Sequence, residues 1–254
     1  MLSKNKIKFI HSLKIKKHRD KHGLFIAEGI KTFEELTSGG MKPILVAAGS
    51  DFFAAHQLSE SVEKIEISRS ELLKISSLVT PTDVVALFEI PEIKPDFDKS
   101  FSQLSLFLDD IQNPGNLGTI IRTTDWFGIQ SIFCSPETAD IYNPKVVQAT
   151  MGGIARVRVM YVDSEDFFAE IGKRKIPVFG AFLNGENIYE AEFENSGIIV
   201  LGNEGNGISA KTAKHISRRL FIPAFPENSQ KVESLNAAVA GAIIFSEFRR
   251  RAGK

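Results

Sequence analysis

From Leu104 onward, short apolar runs alternate with helix-like stretches, and this alternation restricts the fold more than any other feature of the chain. Leu104-Ser105-Leu106-Phe107-Leu108, Ser131-Ile132-Phe133-Cys134, Val157 to Val162, Pro177-Val178-Phe179-Gly180-Ala181 and Gly197-Ile198-Ile199-Val200-Leu201 read as strands. Leu220-Phe221-Ile222 is a shorter extended piece, and Gly118 to Phe127, Pro144 to Met151 and Leu235 to Arg251 read as helices. Strands that recur with helices between them run parallel and are covered on both faces, so the predicted fold class is α/β with a mostly parallel sheet. The preceding residues mix types: Phe33-Glu34-Glu35-Leu36 reads as helix, and Pro43 to Ala48 and Val84 to Phe88 as strands. Two prolines and several charges between Ile90 and Asp98 suit an exposed boundary. The expected organisation is a smaller α/β domain over residues 1–95, a linker over 96–103 and a larger domain over 104–254.

The 31 basic and 31 acidic residues of this 254-residue chain cancel, which excludes a uniformly basic nucleic-acid binder. Their distribution is uneven. Lys4, Lys6, Lys8, Lys14, Lys16, Lys17, Arg19 and Lys21 face a single acid, Asp20, within the first 23 residues. Such a cluster matches phosphate, because bound Lys and Arg release condensed counterions. A second cluster, Arg249, Arg250, Arg251 and Lys254, reads better as a solvated helix face. The lone cysteine, Cys134, excludes an internal disulfide and a multi-cysteine metal site, and its apolar neighbours predict a buried thiol. No metal is expected. No apolar run approaches the ~18 residues of a membrane span, and the basic N-terminus lacks the apolar core of a signal peptide. A cytoplasmic protein is therefore expected.

Ligands of open parallel sheets bind at loops that follow strands, and three such loops carry unusual residues. Asp109-Asp110-Ile111-Gln112-Asn113-Pro114-Gly115-Asn116-Leu117-Gly118-Thr119-Ile120-Ile121-Arg122 opens a helix. With a start near Asn116, Arg122 lies almost two turns in; equally, Asn-Pro-Gly-Asn is good turn and cap chemistry, with Arg122 at the surface. Leu201-Gly202-Asn203-Glu204-Gly205-Asn206-Gly207-Ile208-Ser209 has three glycines that permit close backbone approach. Its G-x-x-G-x-G spacing departs from the dinucleotide fingerprint, and Glu204 would repel a pyrophosphate, which argues against a nicotinamide dehydrogenase. Third, Ile222-Pro223-Ala224-Phe225 precedes Val232-Glu233-Ser234-Leu235-Asn236-Ala237-Ala238, where Ser234 is a candidate N-cap of an Ala-rich helix.

In this order, N-P-G-N-L-G-T-I-I-R, L-G-N-E-G-N-G-I-S, then I-P and E-S-L-N-A-A-V-A resemble the three motifs of the SpoU/TrmH family of RNA 2′-O-ribose methyltransferases, of the SPOUT class. The resemblance spans about residues 104–250, and Lys17 to Gly29 with Thr80 to Ala86 look like pieces of the family's substrate-binding domain. It implies a catalytic domain with a deep trefoil knot, S-adenosylmethionine as cofactor, and a homodimer with the active site at the subunit interface. Carried over by position, Asn116, Arg122, Glu204, Ser234 and Asn236 form the catalytic constellation. Ala181, Phe182, Gly202, Asn203, Gly205, Ile222 and Leu235 line the cofactor pocket, and Lys14, Lys16, Lys17, Arg19 and Lys21 become candidate RNA contacts. The chain departs from the family at Ala224, where Met is frequent, and in a longer interval before Ser234 that makes residues 226–231 look inserted. The implied reaction is methylation of a ribose 2′-hydroxyl in structured RNA, with ribosomal RNA favoured. Transfer RNA as substrate, and a knotted RNA-binding protein without turnover, stand as alternatives.

Overall fold

The computed structural model describes residues 2–78, 80–226 and 234–252. The chain forms two compact units. Residues 2–92 (Val79 apart) and 140–156 make the first; residues 93–139 and the described part of 157–252 make the second. The expected domain ran on unbroken from residue 104, but residues 140–156 pack in the first unit. Their apolar residues Tyr142, Val146 and Val147 are buried, and Phe25 meets Tyr142 with ring centroids 4.8 Å apart.

The first unit contains α1 (Lys4–Ser12), α2 (Lys16–His22), β1 (Leu24–Glu28), α3 (Ile30–Ser38), β2 (Pro43–Ala48), α4 (Ser50–Ala55), β3 (Glu63–Glu66), α5 (Arg69–Ile75) and β4 (Val84–Glu89). Its sheet order is β1-β4-β2-β3, with β4 antiparallel to both neighbours and β2 parallel to β3. The start of α5 is set by a reciprocal cap, in which Ser68 accepts from the Glu71 amide and the Glu71 carboxylate accepts from the Ser68 amide. Leu13, Ile26, Leu45, Val85 and Leu87 form its core under α1 and α5.

The second unit holds α6 (Phe97–Phe101), β5 (Leu104–Asp109), α7 (Pro114–Trp126) and β6 (Ser131–Cys134). After α8 (Pro144–Thr150), which belongs to the first unit, come β7 (Arg158–Tyr161), α9 (Ser164–Arg174), β8 (Val178–Asn187), β9 (Gly197–Gly202), α10 (Ala210–Ala213), β10 (Arg218–Phe221) and α11 (Ala237–Ala252). Six parallel strands run in the order β10-β8-β9-β5-β6-β7. Every residue of β5 and β6 is buried, the pattern of strands covered on both faces. From β5 the chain steps outward through β6 to β7, then returns on the other side with β8, β9 and β10. The reversal falls between β5 and β9, and the carboxyl ends of strands at such a reversal are where α/β sheets bind ligands.

Cys134 is fully buried at the end of β6, and burial pushes its thiol pKa well above the ordinary range, so it is no nucleophile. Among the described residues no helix is long and apolar enough to cross a membrane, and no group of His, Cys, Asp and Glu could hold a metal.

Candidate active site

Helix α7 starts earlier than its periodicity predicts. Asn113, not Asn116, is the N-cap: its Oδ1 accepts from the amides of Gly115 (2.8 Å) and Asn116 (3.2 Å), and Pro114 takes the first helical position, where no amide is needed. Asn116 thereby lies in the first turn and is half-buried, while Arg122 lies two turns in. Six residues of helix put their side chains about 120° apart around the axis. Arg122 is exposed and makes no hydrogen bond or ion pair among the described residues.

The glycine loop after β9 closes on itself. Asn203 and Gly207 exchange backbone hydrogen bonds of 3.0 and 2.9 Å, and Asn203 Oδ1 accepts from the Gly205 and Asn206 amides. Asn203 Nδ2 donates to the Asp110 carbonyl at 2.8 Å, tying this loop to the one after β5. Asp109, a buried carboxylate in register with Gly202, ties it again by accepting from the Ser209 amide at 2.7 Å. Gly202 is required here: a Cβ on it would lie 2.3 Å from the Gly207 carbonyl carbon and the Ile208 amide. The loop presents Glu204, half-buried, toward α7.

Helix α11 supplies the third part. Ser234 does not cap it; Ser234 is exposed and two residues outside, and Asn236 is the cap. Asn236 Oδ1 accepts from the Ala238 amide at 2.9 Å and the Val239 amide at 3.4 Å, and its carbonyl accepts from the Ala240 amide. Its Nδ2 donates to Asn116 Oδ1 at 2.9 Å, and Asn116 Nδ2 donates to Glu204 Oε1 at 2.5 Å. The three motifs thus meet in one directed chain: helix amides, Asn236, Asn116, Glu204. Each amide side chain uses its oxygen as acceptor and its nitrogen as donor, so the carboxylate fixes the orientation of both. Of the five expected catalytic residues, Asn116, Glu204 and Asn236 are brought together, and Arg122 and Ser234 are not bonded to them.

The residues expected to hold a cofactor follow the carboxyl ends of three adjacent strands. Ala181 follows the part of β8 that pairs with β9, Gly202 ends β9, and Ile222 follows β10. Ala181, Phe182 and Ile222 are half-buried, and Leu235 is 46% exposed. The amide of Gly205 is already donated within its loop, and the Asn203 side chain is spent on loop closure, so these two shape the loop. The interval over residues 226–231 falls, after Pro226, outside the described residues, as does Lys254.

Arg19, one of the expected RNA contacts, is 2% exposed. Its guanidinium donates to the Leu13 carbonyl (2.9 Å) and pairs with Asp140, so it braces α2 within the first unit and is unavailable to RNA. Lys14 reaches the Ser76 carbonyl and Lys16 pairs with Asp20, whereas Lys17 and Lys21 are exposed. The arginines near the C-terminus are structural and not a solvated face as expected: Arg249 and Arg251 are half-buried and donate to backbone carbonyls. Arg249 donates to the carbonyls of Phe127 (2.7 Å) and Gly128 (2.9 Å) beyond the end of α7, and Arg250 and Arg251 both pair with Glu247.

Residues 103–246 match the sequence profile of the SpoU rRNA methylase family, and residues 4–86 that of an MRM3-like substrate-binding domain. A 23S rRNA (guanosine(2553)-2′-O)-methyltransferase of Bacillus subtilis is 29% identical over 96% of each chain. The structure superposes on a TrmH-family protein of Porphyromonas gingivalis with a TM-score of 0.89, 40% identity and 99% of both chains covered. An S-adenosylmethionine-bound rRNA methyltransferase of Sinorhizobium meliloti gives a TM-score of 0.84 at 28% identity, over 98% of this chain and 96% of that one. With its three motifs joined by hydrogen bonds beyond the carboxyl ends of the central strands and its profile matched over more than half its length, the chain belongs to the SpoU rRNA methylase family.

Proposed function

We propose that this protein transfers a methyl group from S-adenosylmethionine to a ribose 2′-hydroxyl of ribosomal RNA. The observation that carries the reading is the chain from Asn236 through Asn116 to Glu204, built from all three motifs. The cofactor site fits the group. Half-buried Ala181, Phe182 and Ile222 offer apolar surface to an adenine, and the ends of β8, β9 and β10 offer backbone amides and carbonyls to its polar edge. When bound, the sulfonium supplies an already activated methyl group. The chain's own residues place the acceptor oxygen and manage its charge. The Arg122 guanidinium offers a planar fork of donors and no acceptor, so its part is to hold a phosphate or a developing alkoxide. Glu204 and Asn236 hold Asn116 in one orientation, so its position costs no reorganisation during the reaction.

The ribosomal substrate is favoured by the names of the relatives and by the substrate-binding profile over residues 4–86. Lys14, Lys16, Lys17 and Lys21 supply the phosphate-binding charge of the first unit. The working form is a homodimer, in which Arg122 of one subunit serves the cofactor site of the other. Supporting this, Trp126, one turn beyond Arg122 on α7, is 84% exposed, and Leu235, just before α11, and Val239, in its first turn, are 46% and 49% exposed. The family resemblance adds a trefoil knot in the C-terminal segment and a cytoplasmic location.

The test is tritium transfer from labelled S-adenosylmethionine into RNA of a strain lacking this protein, with mapping of the modified nucleotide. Incorporation into ribosomal RNA at a ribose, abolished by Arg122→Ala, is the expected result; incorporation into transfer RNA only, or none with cofactor binding intact, would overturn it. Sedimentation gives the assembly state, with Trp126→Glu expected to yield monomer of low activity.

A further inference from the structure

Strand β8 is interrupted where it leaves the sheet. It pairs with β9 only through Gly180. On its other side Arg219 of β10 lies opposite Gly180, and the next residue, Leu220, lies opposite Glu186. Ala181 to Gly185 therefore bulge out with no partner in β10, and this excursion contains the two residues assigned to the cofactor wall. Five unpaired residues would sample many shapes unless something held them.

Arg219 meets the excursion at both ends. Gly185 has φ +141°, and a Cβ there would lie 2.4 Å from the Arg219 carbonyl oxygen, so the two backbones are in close contact. Gly180 leaves room for the Phe182 ring to fold back, since a Cβ on it would lie 2.6 Å from that ring. The Arg219 guanidinium then stacks on Phe182, 4.2 Å from the ring centroid. Its neighbour Arg218 is engaged differently, by Glu186 and by the Glu192 carbonyl. Arg219 has no ion pair among the described residues, so the Phe182 ring is the group its side chain restrains.

We infer that Arg219 is a positioning residue for S-adenosylmethionine, clamping the excursion Ala181–Gly185 so that Ala181 and Phe182 form a fixed wall of the cofactor site. The inference rests on the cofactor site proposed above. The full-length protein is tested as Arg219→Ala, Arg219→Lys, Phe182→Leu and the Arg219→Ala/Phe182→Leu double variant. Calorimetry gives Kd for S-adenosylmethionine, with Tm and the KM for RNA measured alongside.

Each of Arg219→Ala and Phe182→Leu is expected to weaken cofactor binding about fivefold, the value of one stacked cation. The double variant should be little worse than either single one, Arg219→Lys should recover part of the loss, and Tm and the KM for RNA should not move. Unchanged cofactor affinity in Arg219→Ala, or single effects that multiply in the double variant, overturns the inference. A defect confined to the KM for RNA also overturns it, placing Arg219 on the substrate. Should Arg219→Ala fail to fold, Arg219→Lys and Phe182→Leu decide by the same affinities. If the wild-type protein itself binds no S-adenosylmethionine, the proposed site falls and the inference with it; normal wild-type binding with unaffected variants removes only the role of Arg219.

Discussion

Asn236 does two jobs with one side chain, capping α11 through its oxygen and holding Asn116 through its nitrogen. The two are separable. Asn236→Asp keeps a capping oxygen but loses the donor, so kcat should fall by more than tenfold with Tm little changed. Asn236→Ala loses both, and urea unfolding should show about 1 kcal/mol less stability as well. Arg19 is the opposite case, a residue whose type suggested a surface role and whose position gives it a buried one. Its Nε has no partner, and Asp140 carries the compensating charge. Asp140→Ala would leave that guanidinium buried and unpaired, costing about 3–5 kcal/mol by urea denaturation. Replacing both members together, as Arg19→Met with Asp140→Leu, should recover most of the loss, because the desolvation penalty leaves with the charge.

At the scale of elements, the glycine loop and α11 show how local sequence choices set the geometry of the site. Gly202→Ala forces a Cβ into the backbone of Gly207 and Ile208, neither of which can yield as a flexible side chain would. Cofactor binding by calorimetry should be lost, with Tm lowered. The last turns of α11 are braced by Glu247, whose carboxylate, 8% exposed, accepts from Arg250 and Arg251 on the same helix, while Arg251 also donates to the Ala191 and Tyr189 carbonyls. The Arg250 hydrogen bond first, then that of Arg251, hold the Glu247 pKa down to about 2 despite its burial. A carboxylate depressed in the folded state contributes stability above its unfolded pKa, near 4.5, and loses it as pH falls toward 2. Glu247→Gln should therefore lower Tm by about 2–4 °C near neutrality, the shift that roughly 1 kcal/mol produces in a chain of this size. That difference should shrink between about pH 5 and pH 2.

For the whole molecule, the two units share the chain unequally. The first takes residues 140–156 from between β6 and β7, and these bury Tyr142 against Phe25 and bring Asp140 to Arg19. The packing is close: a Cβ on Gly39 would lie 2.4 Å from the Ala155 Cβ, and one on Gly152 would lie 2.2 Å from the Glu35 Cβ. A fragment of residues 1–92 should accordingly bind a hydrophobic dye and unfold at lower urea than a 1–92 fragment carrying 140–156 on a flexible linker. Equal stability of the two would mean that the segment adds nothing to this core.

The strands β5, β6 and β9 and the long C-terminal helix were legible in the sequence because burial on both faces demands unbroken apolar runs, and a one-sided helix demands its own period. Asn116, Glu204 and Asn236 were legible as members of ordered motifs. What sequence could not supply was their mutual distance, because residues 88 and 120 positions apart meet only when strand order is known. Nor could it choose between Ser234 and Asn236 as cap, since both side chains can accept from a helix amide and the chain's path decides which one does. The clamp of Arg219 on Phe182 and the burial of Arg19 were invisible for the same reason: a side chain's chemistry is written in the sequence, but whether it meets water, a ring or a carboxylate is set by what the fold brings beside it.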